Sequence, residues 1–208
     1  RYLAILQFGR ACGWDQKTIL EDGPFLMGDP AIAFILIRAN RDLAALAEQI
    51  GEDPAEPLAW AAELETSLPW FWNEDLSAYC ARDKRTGRFA SAISSGAALA
   101  LLAGVENAPM EAKLSDMWDA VRYGIPSNDP AADSFDPRRY WRGPTWPVVN
   151  ALIALGLKSA GRTEEEARLR RETAELIRQG GFFEYFDPVD GTACGGDRFT
   201  WTAAIWLT

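Results

Sequence analysis

Two kinds of predicted helix alternate along this 208-residue sequence, and the alternation limits the possible folds more than any other feature. Helices rich in small apolar residues are predicted to begin near residues 30, 92, 144 and 200. Between them, amphipathic helices with a charged face begin near residues 54, 109 and 163. Helices that are apolar on all sides are buried, whereas helices with one polar face lie outside. A period of about 50 to 60 residues therefore predicts an α/α solenoid or closed toroid.

The predicted fold is an all-α toroid of the (α/α)6-barrel kind, with inner and outer helices in pairs. Only four inner helices are visible, whereas a closed barrel of six pairs needs six. We therefore expect residues 1–208 to form one domain, roughly the C-terminal two-thirds of a barrel that is incomplete at its N-terminal side. Residues 2–8 are predicted to be a buried helix without a cap, which also indicates a start within a longer polypeptide. The inner helices should then expose apolar flanks, which favours self-association or a missing N-terminal segment that completes the barrel.

The segments that lead from an outer helix into the next inner helix also repeat, and they are predicted to contain short β-hairpins in the funnel loops. The first hairpin is expected to turn near Thr86-Gly87. The matching positions are Tyr79, Asp83, Thr86-Gly87 and Phe89 in one segment and Tyr185, Asp187, Asp190-Gly191 and Phe199 in the other. Equivalent loops of a toroid emerge at the same end, so these segments should build a single funnel.

The composition excludes several kinds of chemistry. The sequence has no histidine, which removes Ser-His-Asp and Cys-His systems, histidine-based zinc sites and a histidine general base. Acid–base chemistry is therefore expected from carboxylates. The three cysteines are scattered without metal-ligand spacing, so we expect free thiols, a reducing cytoplasmic location, and neither a metal nor another cofactor.

The charge and hydropathy of the chain restrict its partners. A net charge of −9 and a pI near 4.6 argue against nucleic acid and against anionic membrane surfaces. No uncharged apolar stretch reaches the length of about 20 residues that a membrane span needs. Nine tryptophans are typical of sugar-binding clefts, but a large aromatic core gives the same number.

Residues 139–147 carry three aromatic side chains, two arginines and two prolines, directly before an apolar helix. Pro144 suits a first helical turn, so the helix is predicted to begin there. The aromatic rings could stack on the apolar face of a sugar, and the arginines could donate hydrogen bonds to hydroxyls. The alternative is a tryptophan-rich corner of the core with surface arginines. The candidate substrate-binding residues are Tyr140, Trp141, Arg142 and Trp146.

Glu184 is the candidate general base. Inverting glycoside hydrolysis uses two carboxylates separated by about 6.5–9.5 Å, which leaves room for a water beside the sugar. Glu184 lies between two aromatic residues on a funnel loop, where the earlier repeat has Ala78 beside Tyr79, so the repeat itself does not require a carboxylate. The alternative is an exposed glutamate at the end of a strand.

Several of these segments resemble glycoside hydrolase family 63 and its bacterial glucosylglycerate and mannosylglycerate hydrolase relatives. The similar segments are residues 140–150, residues 184–188 with 195–204, and residues 24–43. The resemblance implies an (α/α)6 barrel, inversion at an α-glycosidic bond, and no metal in the chemistry. It also implies that Glu184 activates water and that Tyr140, Trp141 and Trp146 line the sugar subsite.

The sequence departs from the family at the general acid. The family's acid is an aspartate in an Asp-Asn-Ser-Pro-Arg-Trp context, and no segment here matches it. Two functions of different classes therefore stay open: a glycoside hydrolase domain without its N-terminal part, and a catalytically silent toroid that binds sugar or a protein partner. A trehalase-like or debranching-type glucosidase is a third alternative. An aspartate across the funnel from Glu184 would distinguish the first two.

Overall fold

The computed structural model describes residues 2–207, which are mostly helical. A 3-10 turn, Leu68–Phe71, directly follows the helix Ala55–Ser67. The α-helices are Tyr2–Ala11 (α1), Gln16–Asp22 (α2), Pro30–Ile50 (α3), Ala55–Ser67 (α4), Ser95–Ala98 (α5), Ala100–Ala103 (α6), Ala108–Asp119 (α7), Pro147–Ser159 (α8), Thr163–Gly180 (α9) and Thr200–Trp206 (α10). Three antiparallel strand pairs join β1 (Met27–Gly28) to β4 (Arg82–Asp83), β2 (Trp72–Asn73) to β3 (Ala78–Tyr79), and β5 (Tyr185–Phe186) to β6 (Ala193–Cys194).

The helix contacts follow the predicted alternation of inner and outer helices. The inner helices form a continuous wall, because α3 packs against α6, α6 against α8, and α8 against α10. The outer helices α4 and α9 pack against α3 and α8 respectively. Gly156 allows close packing within the wall, since a Cβ atom there would lie only 2.4 Å from the carbonyl carbon of Leu101 in α6. The predicted fold class is confirmed.

The ends of α3 follow from its sequence. Asp29 precedes the helix in an extended conformation, and its Oδ1 accepts a hydrogen bond from the backbone N–H of Ala31 at 3.0 Å. Pro30 occupies the first helical position, where the missing N–H has no partner to lose. Gly51 ends the helix with a φ of 79°, and its N–H donates back to the last turn.

Two predicted helix starts are wrong. The inner helix expected from residue 92 begins at Ser95 and is interrupted at Leu99, which divides it into α5 and α6. The helix expected from Pro144 begins at Pro147 instead. Thr145 forms an antiparallel bridge with Phe186, and this pairing keeps the preceding chain extended, so α8 can start only after Trp146.

The predicted burial is only partly correct. Most residues of α5 and α6 are buried, as expected for inner helices, and α9 buries only one face. In contrast, α10 buries only Thr202, because it packs on α8 and α9 from one side. The expectation of a buried helix at residues 2–8 is also wrong, since only Gly9 is buried in α1.

Apolar side chains are exposed on several helices of the inner and N-terminal regions. They include Tyr2, Leu3 and Leu6 on α1, Leu20 on α2, Ile32, Ile35, Leu36, Leu43, Leu46 and Ile50 on α3, Leu155 on α8, and Trp201 and Trp206 on α10. This confirms the expected apolar flanks, while self-association stays a prediction. None of the helices between residues 2 and 207 is both long and apolar enough to cross a membrane. Cys12, Cys80 and Cys194 are free thiols.

Candidate functional site

The funnel loops contain one turn that occurs twice. The backbone N–H of Gly87 donates to the carbonyl of Asp83 at 2.9 Å, and Gly191 donates to Asp187 at the same distance. In each turn the Oδ1 of the aspartate accepts the N–H groups of the residues two and three positions later, at 2.9 and 2.9 Å for Asp83 and at 2.8 and 3.3 Å for Asp187. Both glycines have a positive φ, of 70° and 79°, which favours glycine. The predicted repeat therefore exists as a structural unit.

The predicted match of Asp83 with Asp187 and of Gly87 with Gly191 is correct, but the positions before the aspartate were matched two residues out of register. The bridge between Arg82 and Phe89 and the pairing of Phe186 with Ala193 both flank the aspartate in the same way. Phe89 is therefore equivalent to Ala193, and not to Phe199 as expected. The repeated hydrogen bonds match Glu184 with Cys80, and not with Ala78 as expected. The repeat still does not require a carboxylate at this position, because the matching residue is Cys80.

The chain before α8 is held firmly against the hairpin that follows Glu184. Thr145 and Phe186 exchange two backbone hydrogen bonds of 2.8 and 3.0 Å. The Thr145 hydroxyl donates to the carbonyl of Tyr123 at 2.7 Å. The buried amide of Asn150 donates to the Ile125 carbonyl at 3.1 Å and accepts from the Ile125 N–H at 2.8 Å. These contacts fix the aromatic segment 140–146 relative to Glu184.

Trp146 is the centre of an aromatic cluster. Its ring is stacked against Trp141, with centroids 4.0 Å apart and planes 4° apart, and against Tyr185, with centroids 5.0 Å apart. Only 2% of Trp146 is exposed, and its Nε1 donates to the carbonyl of Tyr140 at 3.1 Å. Trp146 therefore has no free ring face for a sugar, and it supports the cluster instead of forming its surface.

Tyr140 and Trp141 form the accessible side of the cluster. Their exposed fractions are 50% and 46%. Tyr140 has a φ of 44°, a left-handed conformation that costs a non-glycine residue about 1–2 kcal/mol. Strained residues of this kind occur at functional sites where the surrounding contacts hold them. Here the hydrogen bond from Trp146 to the Tyr140 carbonyl holds the backbone in place.

Arg142 lies at the surface beside this cluster. Its Nε donates to the carbonyl of Ser134 at 3.1 Å, which anchors the guanidinium to the preceding loop. Its backbone carbonyl accepts the N–H of Asp136 at 2.7 Å. The residue is placed near the aromatic side chains, and its predicted contact with substrate hydroxyls stays a prediction.

Glu184 is half-buried and lies on a pair of glycines. Its backbone N–H donates to the carbonyl of Gly196 at 3.0 Å, and the Gly196 N–H reaches Oε2 of Glu184 at 3.4 Å. Gly195 has a φ of 76°, and a Cβ atom there would lie 2.7 Å from that Oε2. Tyr185 follows Glu184, and burial, together with the nearby Cys194 and Glu184, raises the pKa of its phenol above the usual value. The phenol is therefore protonated at neutral pH.

Sequence reasoning missed two contributors to this arrangement. Gly195 provides the space for the Glu184 carboxylate, although no role was predicted for Gly195 or Gly196. Arg138 binds Asp187 and Asp190 of the hairpin with Nε and Nη2 at 2.8 and 2.6 Å. No local sequence signal indicated Arg138, because Asp187 and Asp190 lie 49 and 52 residues away from it. Within residues 2–207, no group of three or more cysteine, aspartate or glutamate side chains is arranged to hold a metal ion.

Comparisons with known proteins agree with this architecture. The profile of a family described as the mannosylglycerate hydrolase MGH1-like glycoside hydrolase domain matches residues 1–202. The chain belongs to this family. Mannosylglycerate hydrolase MGH1 of Selaginella moellendorffii is 38% identical over the whole chain, which corresponds to 44% of that protein. Mannosylglycerate hydrolase of Thermus thermophilus is 37% identical, and the chain spans 51% of it.

Solved structures give the same result. A GH63 mannosylglycerate hydrolase from Thermus thermophilus, solved in complex with glucose, superposes on the whole chain with a TM-score of 0.92 and 34% identity, over 54% of its length. Neutral trehalase Nth1 from Saccharomyces cerevisiae matches 87% of the chain and 37% of its own length, with a TM-score of 0.64 and 16% identity, which shows a shared fold alone. The family resemblance of the sequence is thus confirmed. The chain spans about half the length of the curated relatives it matches.

Proposed function

We propose that the full-length polypeptide that carries this chain is an inverting hydrolase of α-glycosidic bonds, and that its substrates are mannosylglycerate or glucosylglycerate. The observation that carries the proposal is the position of Glu184. This carboxylate is held by a glycine pair and lies next in sequence to Tyr185, whose ring belongs to the cluster that exposes Tyr140 and Trp141. The three free cysteines favour a reducing, cytoplasmic location for this reaction.

In this proposal Glu184 is the general base. Its carboxylate accepts a proton from a water molecule as the oxygen of that water attacks the anomeric carbon, while a second carboxyl group protonates the leaving oxygen. No aspartate of this chain occurs in the family's acid context, and we assign no acid to it. Because the chain spans about half of its relatives, we place the acid in a part of the polypeptide outside these residues.

The exposed aromatic side chains form the proposed sugar subsite. Trp141 presents the face opposite Trp146, and this face suits the apolar side of a pyranose ring. Tyr140 and Arg142 supply hydrogen-bond donors at its edge. Trp146 acts indirectly, because its stacked position fixes the orientation of Trp141 and Tyr185.

The proposal is tested with Glu184→Gln in the full-length polypeptide. The amide keeps the shape of the side chain but cannot accept the proton, so kcat should fall by about 10²–10⁴-fold while KM changes little. Glu63→Gln, on the exposed face of α4, is the control and should leave kcat unchanged. NMR of the first-formed sugar should show the β-anomer. A Glu184→Gln enzyme with more than about a tenth of the wild-type kcat, or a product that retains the α-configuration, would refute the assignment.

A catalytically silent carbohydrate-binding toroid is the second candidate, because the exposed rings of Tyr140 and Trp141 can bind a sugar without a general acid. Trp141 is an exposed fluorophore in the proposed subsite, so sugar binding should change its emission. Binding without release of free sugar from the full-length polypeptide would establish this alternative. A panel that includes trehalose and α-1,6-linked glucans distinguishes a trehalase-like or debranching specificity from hydrolysis of glycosylglycerates.

A further inference from the structure

We infer that Arg138 is a positioning residue for Glu184, because it fixes the β5–β6 hairpin to the loop that carries the aromatic sugar subsite. This inference rests on the proposed function, in which Glu184 is the base. Arg138 lies two residues before Tyr140, and its two main partners, Asp187 and Asp190, lie on the turn that follows Glu184. It therefore connects the two segments that must cooperate in catalysis.

The contacts of Arg138 use the fork of the guanidinium group. Nε donates to Oδ2 of Asp187 at 2.8 Å, and Nη2 donates to Oδ2 of Asp190 at 2.6 Å and to the Thr192 hydroxyl at 3.4 Å. These two carboxylates raise the pKa of Arg138, with the hydrogen bond to Asp187 as the largest cause. A guanidinium holds two acceptors in a fixed geometry, which a lysine ammonium on a flexible stem does not.

Asp187 is the important partner, because only 3% of it is exposed. A buried carboxylate needs both hydrogen bonds and a compensating charge. Oδ1 of Asp187 accepts two backbone N–H groups within the turn, and Oδ2 accepts the Nε of Arg138. The internal turn and the external arginine therefore use different oxygens of one carboxylate. Displacement of Arg138 would leave Oδ2 without its charged partner.

The other copy of the turn shows that the turn itself does not need an arginine. Asp83 makes the same hydrogen bonds to the N–H groups two and three positions later, and Gly87 closes the turn as Gly191 does. Among residues 2–207, no side chain forms an ion pair with Asp83 within 4 Å. The pKa of Asp83 is lowered chiefly by the backbone N–H groups of its own turn, and the charge of Arg85, in the same turn, makes only the smallest contribution. The turn at Asp83, which makes no ion pair with Arg138, is also the turn that has Cys80 at the position of Glu184. Arg138 therefore adds a connection between segments that the hydrogen bonds of the turn do not require.

Arg138 adds one contact to several that orient the hairpin. The Thr145–Phe186 bridge and the stacking of Tyr185 on Trp146 join the hairpin to the aromatic segment near Glu184. The turn itself is joined to the aromatic loop by the ion pairs of Arg138 with Asp187 and Asp190. Loss of these ion pairs should therefore loosen the hairpin at the turn and change the distance between Glu184 and the exposed face of Trp141.

The test uses Arg138→Ala, Arg138→Lys and the double variant Arg138→Ala/Asp187→Asn, all in the full-length polypeptide. Loss of Arg138 should lower kcat by about 10–100-fold, the order expected for a displacement near 1 Å. KM should change by less than about threefold, because the subsite stays intact. Arg138→Lys should give an intermediate kcat. Arg171→Ala, on the exposed side of α9, is the control.

The double variant separates positioning from simple charge compensation. Asparagine at position 187 keeps an acceptor for the turn and removes the buried charge. If Arg138 only neutralises Asp187, the double variant should regain both the melting temperature and kcat. Positioning predicts that the melting temperature recovers while kcat stays low. Recovery of kcat in the double variant, or a kcat of Arg138→Ala within about twofold of wild type, would overturn the inference.

Hydrogen exchange keeps the two proposals distinguishable. Without Arg138, the amide of Asp187, which donates to Thr192 at 2.9 Å, should exchange at least about tenfold faster, while amides of α8 keep their protection. Unchanged exchange in the hairpin would overturn the inference even if the enzyme is inactive. A wild-type polypeptide that hydrolyses no glycosylglycerate would contradict the proposed function instead, and the exchange result would still decide the role of Arg138.

Discussion

Gly195→Ala offers a sharp test of how Glu184 is positioned. The substitution acts in two ways. It strains the backbone, because Gly195 has a φ of 76°, and it places a Cβ atom against Glu184. A left-handed conformation costs an alanine about 1–2 kcal/mol. For a chain of this size, about 1 kcal/mol corresponds to a shift of roughly 2–4 °C in the melting temperature. Strain alone should therefore lower Tm by about 2–8 °C.

The added methyl group also meets the proposed base. Its carbon would lie 2.7 Å from Oε2 and 2.8 Å from Cβ of Glu184, and 2.8 Å from Cε1 of Tyr185. Relief to an ordinary van der Waals contact requires a movement of about 0.7 Å. A misplacement of about 1 Å can lower a rate by about 10²-fold, so we expect kcat to fall by about 10–100-fold.

Gly161→Ala is the matched control. Gly161 has a φ of 72°, and a Cβ atom there has no other atom within 4 Å, so this variant reports the backbone strain without a contact. Thermal melts by circular dichroism should show similar losses of Tm for both variants. Sugar release should show a loss of kcat for Gly195→Ala only. Equal values of kcat for the two variants would refute the argument that Gly195 provides the space for the base.

Two further predictions concern the subsite and the core. Trp141→Ala should raise KM by about 2–10-fold with a smaller change in kcat, because the ring binds the substrate both before and during the reaction. The magnitude follows from an aromatic contact worth about 0.5–1.5 kcal/mol. A fall in kcat larger than the rise in KM would contradict this role. Burial raises the pKa of Cys80 from 9.0 to about 11, so the folded chain keeps a proton that the unfolded chain releases. The free energy of unfolding should therefore fall as the pH rises from 9.0 to about 11, and urea titrations should show a smaller fall for Cys80→Ala.

The alternation of helices was predictable because each helix carries its burial pattern in its own sequence. The start of α8 was not, since the extended conformation of Thr145 depends on pairing with Phe186, which lies 41 residues away in sequence. The aromatic segment was recognised, but its composition could not tell that Trp146 is enclosed while Trp141 is exposed. Arg138 was missed for the same reason as the start of α8, because its partners belong to another segment.

The turn that occurs at both Asp83 and Asp187 separates the backbone of a loop from its chemistry. Two copies of one local scaffold persist in the same chain, and the position three residues before the aspartate is a buried thiol in one and a carboxylate in the other. The scaffold therefore accepts different side chains at the position of the proposed base. One local scaffold can therefore carry either a thiol or a carboxylate at this position without a change in its backbone hydrogen bonds.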